Sequence, residues 1–273
     1  MSTSTAADTN PSPLSHHPRA LAVLSRLHAL SLQQERAKGA RGKHFPIGES
    51  SPGSTANSNV QIDFSDAGDF VEELVALDED KARAMYMMLR AMGATRVVEA
   101  GTSFGVSLIY LLCAVADNAK KSVGEFENDS SASGHNNLHP PLVVGTELEP
   151  TKAAKALSHV REAFDGDIPE LLNLLQGNLL ETIPALSLPD KSIDALLLDI
   201  WAPLALPVLK IMLPKLRRGA VVFLDNSVSA AERYKDVLGF LKSVKEDNGS
   251  SRFKCISLPY DGGFEMCVYE GRE

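Results

Sequence analysis

No stretch of 18 consecutive apolar residues occurs in this sequence, which argues against a membrane-spanning helix. The opening MSTSTAADTNPSPLSHHPRA lacks the basic cluster and apolar centre of a secretion signal, so a cytoplasmic location away from membranes is expected. Basic residues are outnumbered, 27 Lys and Arg against 35 Asp and Glu, for a net charge of −8 and a pI near 5.4. That balance argues against a dominant nucleic-acid surface, so no nucleic-acid partner is expected. Cysteine is scarce: Cys113, Cys255 and Cys267 each lie in an apolar run, as buried free thiols do, rather than in a disulfide or zinc pattern. A P-loop and a serine nucleophile elbow are both missing. The dinucleotide fingerprint G-x-G-x-x-G is missing too, because position 103 is serine where the second glycine would stand.

What is present is an ordinary globular composition, 44% hydrophobic and 23% charged over 273 residues, enough for one full core with appendages. Residues 1–18 are rich in Ser, Thr, Pro and Asn and are expected to be a disordered tail. Residues 19–64 are expected to hold an N-terminal helix and a possible lid loop. The helix carries Leu21, Leu24, Leu27 and Leu30, and the breaker-rich loop spans 39–59 and includes His44. A second helix is expected from about Glu72 to Met92, and residues 65–273 form the main domain.

After Gly93 short apolar runs alternate with helical ones. TRVVEAG, PPLVVGTEL, LLNLLQGN, SIDALLLDI and GAVVFLDN read as five strands. Helices are expected over Phe104–Ala116, Thr151–Phe164 and Ala230–Lys245. APLALPVLKIMLPKLR is a helical segment that Pro207 and Pro214 should kink or divide. FKCISLPY and FEMCVYEG, separated by Asp261-Gly262-Gly263, read as a closing antiparallel hairpin. A polar surface insertion is expected at about 118–139. Alternation of this kind predicts an α/β fold, a doubly wound, Rossmann-like sheet of seven strands with a terminal antiparallel hairpin.

Three strand ends carry groups suited to chemistry. Gly101 and Gly105 bracket the first strand–helix junction, allowing a tight turn ahead of free helix amides, which suits a nucleotide-like ligand or is simply a turn. Glu147 ends the neighbouring strand, where an acid can accept hydrogen bonds from a ribose diol. Asp199, Asp225 and Asn226 end two consecutive strands that should be adjacent. Three hard oxygen donors suit Mg²⁺ or Ca²⁺, although helix capping and turn formation also use these residue types. His28 and His159 read as surface or packing residues, while His16 and His17 fall in the tail.

In this order the motifs resemble class I S-adenosylmethionine-dependent methyltransferases, and more narrowly the cation-dependent small-molecule O-methyltransferases typified by the catechol and caffeoyl-coenzyme A enzymes. The resemblance covers roughly residues 65 to 271. VVEAGTSFGVSLIYL is similar to the family's donor loop, implying donor contacts from Glu99, Gly101, Thr102, Ser103, Gly105 and Ser107. VVGTELEP is similar to the ribose strand end, implying Glu147 and Leu148. LLQGNLLETIP is similar to the adenine-flanking segment, implying Asn178 and Leu179. LLLDIW and VVFLDNSV are similar to the metal strands, implying Asp199, Asp225 and Asn226 as ligands, with Asp199 also a candidate proton acceptor. Trp201 matches a tryptophan of the catechol enzymes; with Asp199 it is a candidate donor contact and, with His44, a candidate substrate contact. The closing YDGGFEMCVYEGR is similar to fungal members.

The resemblance implies methyl transfer from S-adenosylmethionine to a hydroxyl of a small, phenolic or catechol-like acceptor. A divalent cation, Mg²⁺ by preference, would orient and acidify that hydroxyl. One departure stands out: where the catechol enzymes place a lysine soon after the first metal aspartate, this sequence has Ala202, Pro203 and Leu204. A cation-independent O- or N-methyltransferase and a non-catalytic cofactor-binding subunit therefore remain as alternatives. A monomer or homodimer is expected.

Overall fold

A computed structural model describes residues 11–39, 74, 76–125, 139–245 and 249–271. Helix α1 spans Pro18–Gly39 and α2 spans Glu79–Ala91. The alternating part runs β1 (Arg96–Ala100), α3 (Val106–Glu125), β2 (Leu142–Glu147), α4 (Pro150–Ala163), β3 (Leu172–Gln176), α5 (Leu179–Ala185) and β4 (Ile193–Leu198). It continues with α6 (Ala202–Met212), a short 3₁₀ turn (Leu213–Lys215), β5 (Leu216–Asp225), α7 (Lys235–Ser243), β6 (Phe253–Leu258) and β7 (Phe264–Tyr269). The strands form one sheet in the order β3-β2-β1-β4-β5-β7-β6. The first five strands pair in parallel, and β7 runs antiparallel to both β5 and β6.

The apolar strands are buried on both faces, as a covered parallel sheet requires. Val97, Ala195, Leu197, Val221 and Phe223 point into one core with α1 to α4. Val98, Leu196, Leu198, Val222 and Leu224, alternating with them, point into a second core with α5 to α7. Strand order reverses at β1, whose neighbours are β2 and β4, so the carboxyl ends of β1 and β4 border the crevice where such sheets take ligands. Among the described residues no helix is long and apolar enough to cross a membrane.

Several expectations need correction. In α1 the buried positions are Ala20, Val23, Leu24, Leu27, His28 and Ser31, whereas Leu30 is 42% exposed. A strict three-residue spacing drifts round a 3.6-residue helix, so the leucines cannot all share one face. Residues 11–17, assigned to the tail, are packed: Leu14 is fully buried, and His16 and His17 both meet the Asp117 carboxylate, at 2.9 and 3.0 Å. Helix α3 continues past 118 to Glu125, because its polar residues are employed in the interior. Asn118 donates to the Leu89 and Ala94 carbonyls at and just past the end of α2, and Asp117 accepts from Tyr86 and forms an ion pair with Arg90.

Helix α2 begins only at Glu79, behind Asp78. The helix expected over Ala230–Lys245 spans only Lys235–Ser243, because residues 226–234 are turns, opened by Asn226 at a left-handed φ of +56°. Cys255 and Cys267, expected as free thiols, are directly opposed on β6 and β7 and joined by a disulfide; Cys113 is free and buried. The loop expected at 39–59, His44 within it, and most of the 118–139 insertion lie outside the described residues.

Candidate active site

Strand β1 ends at Ala100, and the following loop is fixed by backbone geometry that side chains rarely permit. Gly101 has φ +91°, and an added Cβ would lie 2.1 Å from the Asp199 carbonyl oxygen, so only glycine lets the loop pass against the end of β4. Ser103, at the position lacking the fingerprint glycine, is itself held left-handed at φ +49°. The loop therefore keeps the conformation without the glycine, at the strain cost of a non-glycine residue there. Two threonines lock it to β2. The Thr146 hydroxyl donates to the Glu99 carbonyl at 3.1 Å and accepts from the Gly101 N–H at 3.1 Å. The Thr102 N–H donates to the Thr146 carbonyl at 2.8 Å.

Glu147 lies at the end of β2, as its position in the sequence implied. Its Oε2 accepts from the Ser103 N–H at 2.8 Å and its Oε1 from the Glu149 N–H at 2.9 Å. A carboxylate has about four acceptor directions, so each oxygen retains capacity for a ligand hydroxyl. Glu149 caps α4 instead, accepting from the Lys152 N–H ahead of Pro150. Leu148 between them is 42% exposed.

Glu99 is fully buried beneath the loop. The Thr102 hydroxyl donates to Oε2 at 2.6 Å, but Oε1 has no hydrogen-bond partner among the described residues. Burial pushes its carboxyl up to about 7, with the hydroxyls of Ser107 and Thr102 acting against the shift and the Glu147 charge adding to it. An uncompensated buried acceptor is expensive and calls for a donor from outside the protein. Asn178 acts locally, since its side chain accepts from the Leu180 N–H at 3.1 Å and caps α5, with Leu179 half-buried behind it.

The second half of the rim is formed by β4 and β5. Asp199 follows β4, half-buried, and its backbone N–H donates to the Ala100 carbonyl. Burial raises its carboxyl well above the usual carboxylate range, Asp225 and Glu99 add to the shift, and Lys81 acts against it. Asp225 closes β5 and is 5% exposed. Trp201 and Val228, 54% and 63% exposed, present apolar surface where the chain leaves these two strands.

Lys81 is the buried charged residue at this rim that sequence reasoning missed. It reaches from α2 with 1% exposure and donates to Asp225 Oδ1 at 2.8 Å and to Asp78 Oδ2 at 2.8 Å. Burial pulls its ammonium down, but the hydrogen bonds and charges of Asp225 and Asp78 outweigh that and raise it. The signal was present: Lys81, Met85 and Leu89 share one helical stripe, and a lysine heading an otherwise apolar stripe has to meet a buried anion.

Lys81 also decides how the residues read as metal ligands fit a divalent cation. Asp225 Oδ1 is bonded to the ammonium and Oδ2 accepts from Asn226 Nδ2 at 2.8 Å. The Asn226 amide oxygen accepts from the Ser229 hydroxyl, 3.4 Å away. A doubly charged ion about 4 Å from the ammonium would meet repulsion of about 8 kcal/mol at an effective dielectric of about 20. Asp199, Asp225 and Asn226 do come to one rim as expected, but as a donor set they do not fit the cation that the resemblance implies.

The fold is the Rossmann-like methyltransferase fold, with the antiparallel β7 that closes its sheet. Residues 98–227, from β1 to just past β5, match a protein family described as a methyltransferase domain. Among solved structures, the chain is similar to the O-methyltransferase TomG of Streptomyces achromogenes, involved in tomaymycin synthesis and crystallised with S-adenosylmethionine. That match has 21% identity and TM-score 0.57, over 75% of this chain and 86% of that one. An O-methyltransferase of Bacillus cereus bound to S-adenosylhomocysteine matches at 17% identity and TM-score 0.55, over 75% of this chain and 86% of that one. The Podospora anserina methyltransferase PaMTH1, bound to S-adenosylhomocysteine, matches at 14% identity and TM-score 0.55, over 72% and 80%. No curated protein matches the chain in sequence.

Proposed function

We propose that this protein transfers a methyl group from S-adenosylmethionine to a hydroxyl of a small phenolic or catechol-like molecule. The observation that carries the donor is the pairing of Glu147 and Glu99 on either side of one left-handed loop. Glu147, already oriented by two backbone N–H groups, offers its remaining lone pairs to the ribose diol. Glu99 Oε1, without a partner among the described residues, is the acceptor for the donor's ammonium. The solved relatives that hold this donor or its product on the same fold support the reading.

The acceptor is placed by the other half of the rim. Trp201 and Val228 give a partly exposed apolar wall that suits a flat ring. Asp199 is the proton acceptor: the hydroxyl oxygen attacks the sulfonium methyl in line, the carbon–sulfur bond breaks to leave neutral S-adenosylhomocysteine, and the proton passes to the Asp199 carboxylate. The protein's contribution is orientation, removal of water and a base at the strand end. No metal takes part in this reading, because Asp225 and Asn226 are already engaged.

The test is a panel of phenols and catechols incubated with the enzyme and donor and read by mass spectrometry. A product one methyl heavier, reduced at least a hundredfold in Asp199→Asn with donor binding retained, is expected. A panel without product from a protein that binds the donor would overturn the acceptor class.

A further inference from the structure

We propose that the Lys81 ammonium stands in for a divalent cation at the Asp199–Asp225 rim, so that the chain supplies this positive charge from its own sequence and binds no metal there. The placement of Lys81 is costly unless it has such a role. It sits in the first turn of α2, where the helix macrodipole disfavours a cation, and its side chain is 1% exposed. Asp78 and Asp225 compensate it, each at 2.8 Å, and they come from elements far apart in the chain. The lysine thus ties α2 to the carboxyl end of β5, next to the half-buried Asp199.

The remaining donors are turned away from metal binding. Asp225 Oδ2 is taken by the Asn226 amide nitrogen at 2.8 Å. Asn226 is held at φ +56°, and its oxygen lies so near Gly262 that an added Cβ there would be 2.9 Å from it. That oxygen belongs to the turn that supports the β6–β7 connection. Mg²⁺ demands near-octahedral oxygen coordination at about 2.0–2.1 Å. What this rim offers Asp225 is an ammonium and an amide N–H.

The inference stands on these contacts and needs neither donor nor acceptor, so its fate is separate from that of the methyl-transfer reading. The test titrates the full chain with Mn²⁺ alone and follows the free ion by electron paramagnetic resonance, scoring only binding that Asp225→Asn removes. The wild type is expected to show no such site up to millimolar Mn²⁺. Lys81→Met, which keeps the length of the stem without the charge, is expected to gain one site at least tenfold tighter than any Asp225-dependent binding in the wild type. One equivalent of Mn²⁺ bound by the wild type and lost in Asp225→Asn would overturn the proposal. An equally metal-free Lys81→Met with wild-type circular dichroism would overturn it too, since the ammonium would then not be what excludes the ion. If Lys81→Met does not fold, wild type against Asp225→Asn decides the question.

Discussion

Glu147 and Glu99 sit within hydrogen-bonding reach of the same short loop, and their surroundings divide the work between them. Glu147 is half-buried and fully oriented by backbone donors. Each charged hydrogen bond it accepts from a ribose hydroxyl should contribute roughly 1.5–3 kcal/mol. Glu147→Ala is therefore expected to weaken S-adenosylhomocysteine binding at least tenfold by calorimetry, and unchanged affinity would remove Glu147 from the site. Glu99 behaves differently because its folded pKa, about 7, lies above the ordinary 4.5. A buried acid of this kind leaves the fold unpenalised while it is protonated in both states. The cost of ionising it accrues as pH rises from about 4.5 to about 7 and is constant above. Urea denaturation should show wild-type stability falling across that window relative to Glu99→Gln; parallel curves would contradict the assignment. Glu147 was legible in the sequence because a strand end beside a glycine loop fixes its place. Lys81 was not, because its partners Asp78 and Asp225 come together only when α2 docks on β5.

At the scale of elements, the five parallel strands and the closing hairpin were legible because their apolar runs are short, uninterrupted and bounded by turn residues. Helix ends were less so. Helix α3 outruns its apolar pattern because Asp117 and Asn118 are buried by tertiary partners, which periodicity cannot report. The same Asp117 gathers Arg90, Tyr86, His16 and His17, and so fastens residues 11–17 to the helical layer. Asp117→Asn should leave Arg90 without its anion. Breaking one side of a buried pair costs about 3–5 kcal/mol, less where water reaches the cation. A loss of about 2–4 kcal/mol in urea denaturation is expected, together with faster amide exchange over residues 11–17. Wild-type exchange there would mean that this carboxylate does not hold the segment. The Cys255–Cys267 pair escaped notice for a related reason, since only strand register makes the two residues opposite neighbours.

For the whole molecule, the sheet order brings the candidate site residues of the strand ends to one edge. The carboxyl ends of β1 and β2 hold the donor loop and Glu147, and those of β4 and β5 hold Asp199 and Asp225. The proposed methyl transfer puts the donor on one side of the order reversal and the acceptor on the other, across the crevice where such sheets take ligands. The fit of a cation is the part of the site that sequence pattern alone does not weigh. Two acids and an amide at adjacent strand ends look like ligands until a buried lysine from another layer is seen between Asp78 and Asp225. The most direct measurement of the central claim is calorimetric titration of the wild-type chain with S-adenosylhomocysteine in the presence of a chelator, with NAD as the comparison ligand. One equivalent of S-adenosylhomocysteine bound with micromolar affinity, no heat from NAD and no change when Mg²⁺ replaces the chelator are predicted. Absence of S-adenosylhomocysteine binding with or without Mg²⁺ would contradict the account.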